Sequence, residues 1–120
     1  MTSVGIDIVE ISRFEELKNL EYFLEKNFSK NEIDYINKKP NKFETMAGIF
    51  SCKEAVMKAF KKGIFNFSLT KVEVIRGENN SPEILINDEI KALLQEKNAA
   101  EINVSISHSK THATSICIIN

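Results

Sequence analysis

A few side chains in this 120-residue sequence have the types needed to act together on a phosphate ester. Asp7 lies in a short apolar run beside Gly5, Glu54 stands between Lys53 and Lys58 in the longest amphipathic stretch, and His108 ends an alternating segment. Two carboxylates sharing an oxygen-seeking divalent cation, with an ammonium group and an imidazole nearby, suit phosphate chemistry because the cation neutralises phosphoryl oxygens. Each residue also has an ordinary explanation. Asp7 can be a strand-end carboxylate answering a helix N-terminus or Arg13. Glu54 and Lys58, four apart on a helix, can be a solvated ion pair. Lys53 can be an exposed helix lysine, and a lone His108 a capped turn residue. Because 47 positions separate Asp7 from Glu54, the chemistry requires the fold to lay the first strand beside the long helix.

The elements that must do this are legible as periodicity. Residues 4–9 alternate, with Val4, Ile6 and Ile8 on one parity and Gly5, Asp7 and Val9 on the other, which predicts a strand. A carboxylate there faces away from the isoleucines. Ser12 with Glu15 has capping-box spacing and predicts a helix through about residue 20, extending toward Phe28; Ser29 with Glu32 repeats the spacing and opens a helix that stops at Pro40. Residues 43–62 form the longest helix, with Met46, Phe50, Met57 and Phe60 on an apolar stripe and Gly63 as its stop. A second stripe, Ala47, Ser51, Glu54 and Lys58, offers small residues that let another backbone come close, leading to the carboxylate and the ammonium group. Residues 72–75 and 84–86 read as a hairpin whose left-handed positions fall to Asn79 and Asn80. Asn87 or Asp88 caps a helix to about Lys97, and residues 102–107 and 114–119 make a closing antiparallel hairpin. The pattern is a single α+β domain over residues 1–120, an antiparallel sheet packed with helices that include one long central one. Strand order does not follow from it.

Composition narrows the function classes. Sixteen basic against 17 acidic side chains leave a net charge of −1, so no global field points to nucleic acid or to an anionic membrane, and any basic partner site must be local. No apolar run approaches the roughly 20 residues that cross a bilayer, and the N-terminus lacks signal-peptide order; the chain reads as soluble and cytoplasmic. Cys52 and Cys117 are too few for a disulfide framework and read as small core residues.

Gly5-Ile6-Asp7-Ile8-Val9-Glu10-Ile11 with Arg13 close behind, then Phe50-Ser51-Cys52-Lys53-Glu54-Ala55-Val56-Met57-Lys58-Ala59, resembles the paired signature of the 4'-phosphopantetheinyl transferases. Val104-Ser105-Ile106-Ser107-His108 supplies a third element where the small bacterial members carry a histidine, and the resemblance covers essentially the whole chain. It implies the fold of that family and transfer of the phosphopantetheine arm from coenzyme A to a serine of apo acyl carrier protein, releasing adenosine 3',5'-bisphosphate, in support of fatty acid biosynthesis. It implies that Asp7 and Glu54 hold Mg2+, that Lys58 clamps the phosphates, and that Lys53 and His108 contact the coenzyme. The base that takes the serine proton is left open between Glu54 and a water on the metal. Arg13 corresponds to the position that docks the carrier protein, whose acidity calls for a cationic landing surface to which Lys18, Lys26 and Lys30 can add. His112 matches no motif position.

The sequence departs from the family pattern at two places near the site. Ile49 stands where relatives often carry an arginine at the adenosine end of the coenzyme, a contact Lys42 can replace, and Lys61 stands where many have a glycine. Longer members repeat this unit twice in one chain, so a single unit is expected to complete its site by self-association. The small members resemble homotrimers, with Asp7 and Glu54 from one subunit and His108 from its neighbour. The rival readings are a trimeric module that binds coenzyme A or carrier without turnover, and another magnesium-dependent phosphate enzyme such as a pyrophosphohydrolase.

Overall fold

A computed structural model describes residues 2–63 and 67–120. In chain order the elements are β1 (Ser3–Glu10), α1 (Ser12–Glu15), α2 (Leu20–Asn27), α3 (Lys30–Lys38), α4 (Lys42–Phe60), β2 (Val74–Arg76), β3 (Pro82–Ile84), α5 (Asp88–Glu96), β4 (Ile102–His108) and β5 (His112–Ile119). Single 3₁₀ turns at Leu69–Lys71 and Glu78–Asn80 precede and follow β2. The α+β class expected from the sequence is the one observed. No helix among the described residues is long and apolar enough to cross a membrane.

The last strand is the middle one: the main sheet has the order β1-β5-β4, antiparallel throughout, and β2-β3 forms a separate hairpin. Register sets Asp7 opposite Ser115 and Gly5 opposite Cys117. One face of the sheet lies on α4, whose buried residues include both stripes read from the sequence, Met46, Phe50, Met57 and Phe60 on one and Ala47 and Ser51 on the other. The two parities of β1 are therefore used the other way round from a simple apolar-inward strand. Gly5 and Val9 are buried on the helix side, while Val4, Ile6 and Ile8 are 59–64% exposed and join Ile116 and Ile118 in an uncovered apolar face. A continuous apolar patch of that kind marks a surface that meets another molecule.

Helix boundaries follow the chemistry of their ends. The helix expected from Ser12 toward Phe28 is two helices: Ile11 starts α1 with no side-chain cap, and Asn19 restarts the chain as α2 by accepting from the Tyr22 N–H at 3.0 Å. The box at Ser29 and Glu32 forms in full. Asn41 caps α4, and Lys61, at φ 59°, takes the left-handed position that ends it, ahead of the Gly63 stop the sequence suggested. A lysine there accepts a strain of about 1 kcal/mol that glycine would avoid. Asn79 and Asn80 are left-handed as expected, although β3 begins earlier, at Pro82.

Candidate functional site

The site begins with a glycine. A Cβ at Gly5 would overlap the Ala55 carbonyl and stand 2.6 Å from the Ala59 nitrogen, so β1 lies backbone to backbone on α4 only because Gly5 faces Ala55 and Ala59. Two residues on, the same parity aims Asp7 at the next turn of α4. Lys58 reaches back to it: Nζ donates to Asp7 Oδ1 at 3.0 Å and to the Ile6 carbonyl at 3.1 Å. The Lys58 side chain is 55% exposed and that of Asp7 only 13%.

Glu54 completes the cluster from the preceding turn of α4. Burial raises its pKa above the ordinary carboxylate value and the nearby Asp7 charge raises it further, while Lys58 and Arg13 pull it down. Two carboxylates thus meet in a half-buried place, and the buried Asp7 Oδ2 has no hydrogen-bond partner among the described residues. An orphaned acceptor beside a second carboxylate whose charge burial and Asp7 disfavour is what an oxygen-seeking dication would satisfy, so the residues fit Mg2+. Among the described residues no third His, Cys, Asp or Glu joins them, so further donors to such an ion would be solvent or phosphate oxygens.

Arg13 stands at the rim. Its guanidinium stacks on Phe14 and Phe50, 5.7 and 5.4 Å from the ring centroids, and it lines one cleft together with Lys26, Phe50, Glu54, Phe67 and Leu69. Of the lysines suggested for a carrier-docking surface, this brings Lys26 to the site.

Two of the sequence candidates lie elsewhere. His108 Nε2 sits 3.1 Å from the Glu44 carbonyl, and a Cβ at Gly48 would stand 2.6 Å from it, so the ring occupies a seat made by the missing side chain. Gly48 is six residues, about 9 Å of helix, before Glu54, so one chain does not bring His108 to the carboxylates. Lys53 points the other way from Glu54. Its side chain is fully buried in an ion pair with Glu32, over the Phe28 ring, which leaves no ammonium for a phosphate to meet; the coenzyme contact expected of it is not made by this geometry. Ile49 is buried in the core, so this position presents no side chain to a ligand.

Two residues that shape the site, Gly48 and Phe50, and one packed behind it, Glu32, were not among the sequence candidates. Glu32 was visible only as a capping-box acid, and it performs that task and pairs with Lys53 besides. Gly48 carried no signal of its own, and Phe50 was visible on the apolar stripe and as the opening residue of the second motif.

A model of the 4'-phosphopantetheinyl transferase superfamily matches residues 3–117. The holo-[acyl-carrier-protein] synthase of Fusobacterium nucleatum is 39% identical over 117 residues, spanning 97% of this chain and 96% of its own. That of Caldanaerobacter subterraneus is 39% identical over 116 residues, spanning 96% and 91%. Among solved structures, the Helicobacter pylori holo-[acyl-carrier-protein] synthase in complex with coenzyme A superposes with a TM-score of 0.84 at 30% identity, over 98% of this chain and 99% of that one.

Proposed function

This chain belongs to the 4'-phosphopantetheinyl transferase superfamily, and from that premise we propose that it transfers the 4'-phosphopantetheine group of coenzyme A to a serine of apo acyl carrier protein. The serine Oγ forms a new bond to the phosphorus that bears the pantetheine arm. The bridging P–O bond of the pyrophosphate breaks, adenosine 3',5'-bisphosphate leaves, and the hydroxyl proton is released. The observation that carries the reading is that Asp7 meets Lys58 and the charge of Glu54 while its Oδ2 has no hydrogen-bond partner among the described residues.

Asp7 and Glu54 would hold Mg2+, which when bound neutralises pyrophosphate oxygens. Lys58 orients Asp7 and, being exposed on its outer side, presents a positive charge to the transferring phosphoryl group as a clamp. Arg13 and Lys26 give the cleft beside Glu54 a cationic rim for an acidic carrier protein, on a chain whose total charge is nearly balanced. His108 serves a neighbouring subunit's site. The apolar face formed by Val4, Ile6, Ile8, Ile116 and Ile118 supports self-association, and the assembly proposed is a trimer with three sites at its interfaces. The role is carrier activation for fatty acid synthesis in the cytoplasm.

The test is intact-mass spectrometry of apo acyl carrier protein incubated with the chain, coenzyme A and Mg2+, with and without a chelator. One phosphopantetheinyl addition, lost on chelation, is the expected result. A carrier of unchanged mass at saturating substrate overturns the proposal and favours the module that binds without turnover.

A further inference from the structure

Glu32 is among the most buried polar residues of the molecule and belongs to no part of the site described above. Its carboxylate ties three elements together. Oε1 accepts from the Ser29 N–H at 2.8 Å, closing the cap of α3, and from Lys53 Nζ on α4, while Oε2 accepts from the Val74 N–H of β2 at 2.7 Å. A charge pair with neither partner exposed is a poor way to gain stability. Removing two charges from water costs several kcal/mol, and apolar side chains of the same shape often do as well or better. What the pair supplies that apolar packing does not is direction, since each hydrogen bond holds its donor within a few tenths of an ångström along a set line.

The held segment is the one that matters to the cleft. Phe67, Ser68 and Leu69 line the cleft together with Arg13, Phe50 and Glu54, and the chain runs on from them through the buried Val72 to β2 at Val74. That wall is fastened at two places downstream. Val74 is tied to Glu32 from inside, and the Lys71 carbonyl accepts from Asn87 Nδ2 at 2.9 Å from outside. Lys53 is the residue before Glu54 on α4, so the same pair ties the helix that carries Glu54 to the strand that follows the wall.

We propose that Glu32 and Lys53 are positioning residues that set the width of the cleft between Arg13 and the Phe67–Leu69 wall, and so govern docking of the acceptor protein. This rests on the transferase reading given above. Neither residue touches substrate; they act through Val74 and the backbone that leads back to Leu69. The binding of the carrier is therefore expected to depend on the pair, while the carboxylate cluster around Asp7 is not.

The discriminating variant is the double replacement Glu32→Gln with Lys53→Met, which keeps volume, removes both buried charges and leaves one carbonyl oxygen to serve donors that two oxygens had shared. Its melting temperature is expected to match that of the parent. Its KM for apo acyl carrier protein should rise about tenfold with kcat changed less than about twofold, and half-saturation by Mg2+ should stay unchanged. A purely structural pair predicts that restored stability restores every constant, so a folded double variant with parental KM overturns the proposal. Should that variant lack a cooperative melt, Glu32→Asp decides. It keeps the charge pair but draws Val74 inward by one methylene, and an unaltered carrier KM there overturns the proposal equally. A parent chain that transfers nothing overturns the transferase reading itself and this inference with it, whereas an active parent with unaffected variants removes this inference alone.

Discussion

Two of the lysines of helix α4, Lys53 and Lys58, each face a carboxylate from another element, and the molecule treats them in opposite ways. Lys53 and Glu32 are sealed from solvent, and both oxygens of Glu32 are satisfied. Lys58 and Asp7 are open on the lysine side, and Asp7 keeps one oxygen unanswered beside the raised pKa of Glu54. The closed pair has no capacity left for a ligand. The open one has an unused acceptor, a second carboxylate whose charge is disfavoured and an accessible cation. Motif spacing places both lysines beside Glu54, and only the surroundings tell the sealed pair from the one open to a ligand.

Neutralising each lysine in turn is the strongest way to break that contrast. Lys53→Met leaves the Glu32 charge buried and uncompensated, and should cost about 3–5 kcal/mol of stability. Lys58→Met removes a half-solvated pair and should cost at most about 1 kcal/mol, yet lower transfer on the order of 100-fold through the lost phosphate clamp. Thermal melts and initial rates on the two purified variants read both quantities. Equal destabilisation would mean that the two pairs do not differ as their exposure indicates.

The next effect concerns the seam that makes the open pair possible. Gly5→Ala puts a methyl group against the Ala55 and Ala59 backbone, neither of which can rotate away, so β1 must lift from α4. Overpacking of this kind costs about 1–3 kcal/mol, and it also carries Asp7 away from Glu54. Calorimetric titration with Mg2+ should therefore weaken even where the variant is still folded, while the Glu32–Lys53 pair, on the other side of α4, is left intact. Unchanged Mg2+ binding would show that the seam does not position the carboxylates.

Glu54→Gln should act with the opposite sign on stability. In the metal-free chain Glu54 has a folded pKa raised by burial and by Asp7, so the fold holds its proton more tightly than the unfolded chain does. The stability this contributes is fully present below the ordinary glutamate range and is lost as pH climbs through the raised folded value. With chelator present, the parent's melting temperature should fall across that interval, and Glu54→Gln should flatten the fall. The gain at neutral pH should be under about 1 kcal/mol, because the carboxylate is half exposed and screened. Transfer should be abolished. A steeper decline in the variant would contradict the like-charge account of the open cluster.

How much of this was legible beforehand depends on the range of each interaction. Most local signals were faithful, because the box at Ser29 and Glu32, the left-handed Asn79 and Asn80, and the cap at Asn87 involve partners within a few residues, but the box expected at Ser12 and Glu15 did not form. Asp7, Glu54 and Lys58 were legible only through a motif, because their meeting depends on β1 crossing α4 at Gly5. The helix stops at Lys61 rather than Gly63, where the Lys61 and Lys62 N–H groups close on the Lys58 and Met57 carbonyls at the cost of a left-handed backbone on a residue with a Cβ. The partner of Lys53 lies 21 positions away, and a buried lysine differs from an exposed one in nothing the chain displays locally. The central position of β5 between β1 and β4 is likewise a long-range fact without a periodic trace.

The smallest effect is expected at the other end of α4, where Gly48→Ala tests whether His108 belongs with the open region. Alanine improves helix propensity by about 0.8–1 kcal/mol, and the new Cβ meets the His108 ring at 2.6 Å and Ile106 Cγ2 at 3.2 Å. A ring on an exposed strand end can swing aside at little cost, so the two terms should nearly cancel and the melting temperature should hardly move. The swing removes the bond to the Glu44 carbonyl and takes Nε2 off the line along which it is presented. Loss of one such hydrogen bond corresponds to between about twofold and tenfold in affinity, and it should appear in the KM for coenzyme A with the carrier KM left alone. That split would place His108 on the coenzyme side of the reaction and the Arg13 cleft on the acceptor side. An unaltered coenzyme KM would assign the seat at Gly48 to a resting position of the ring, leaving Asp7, Glu54 and Lys58 to hold the donor unaided.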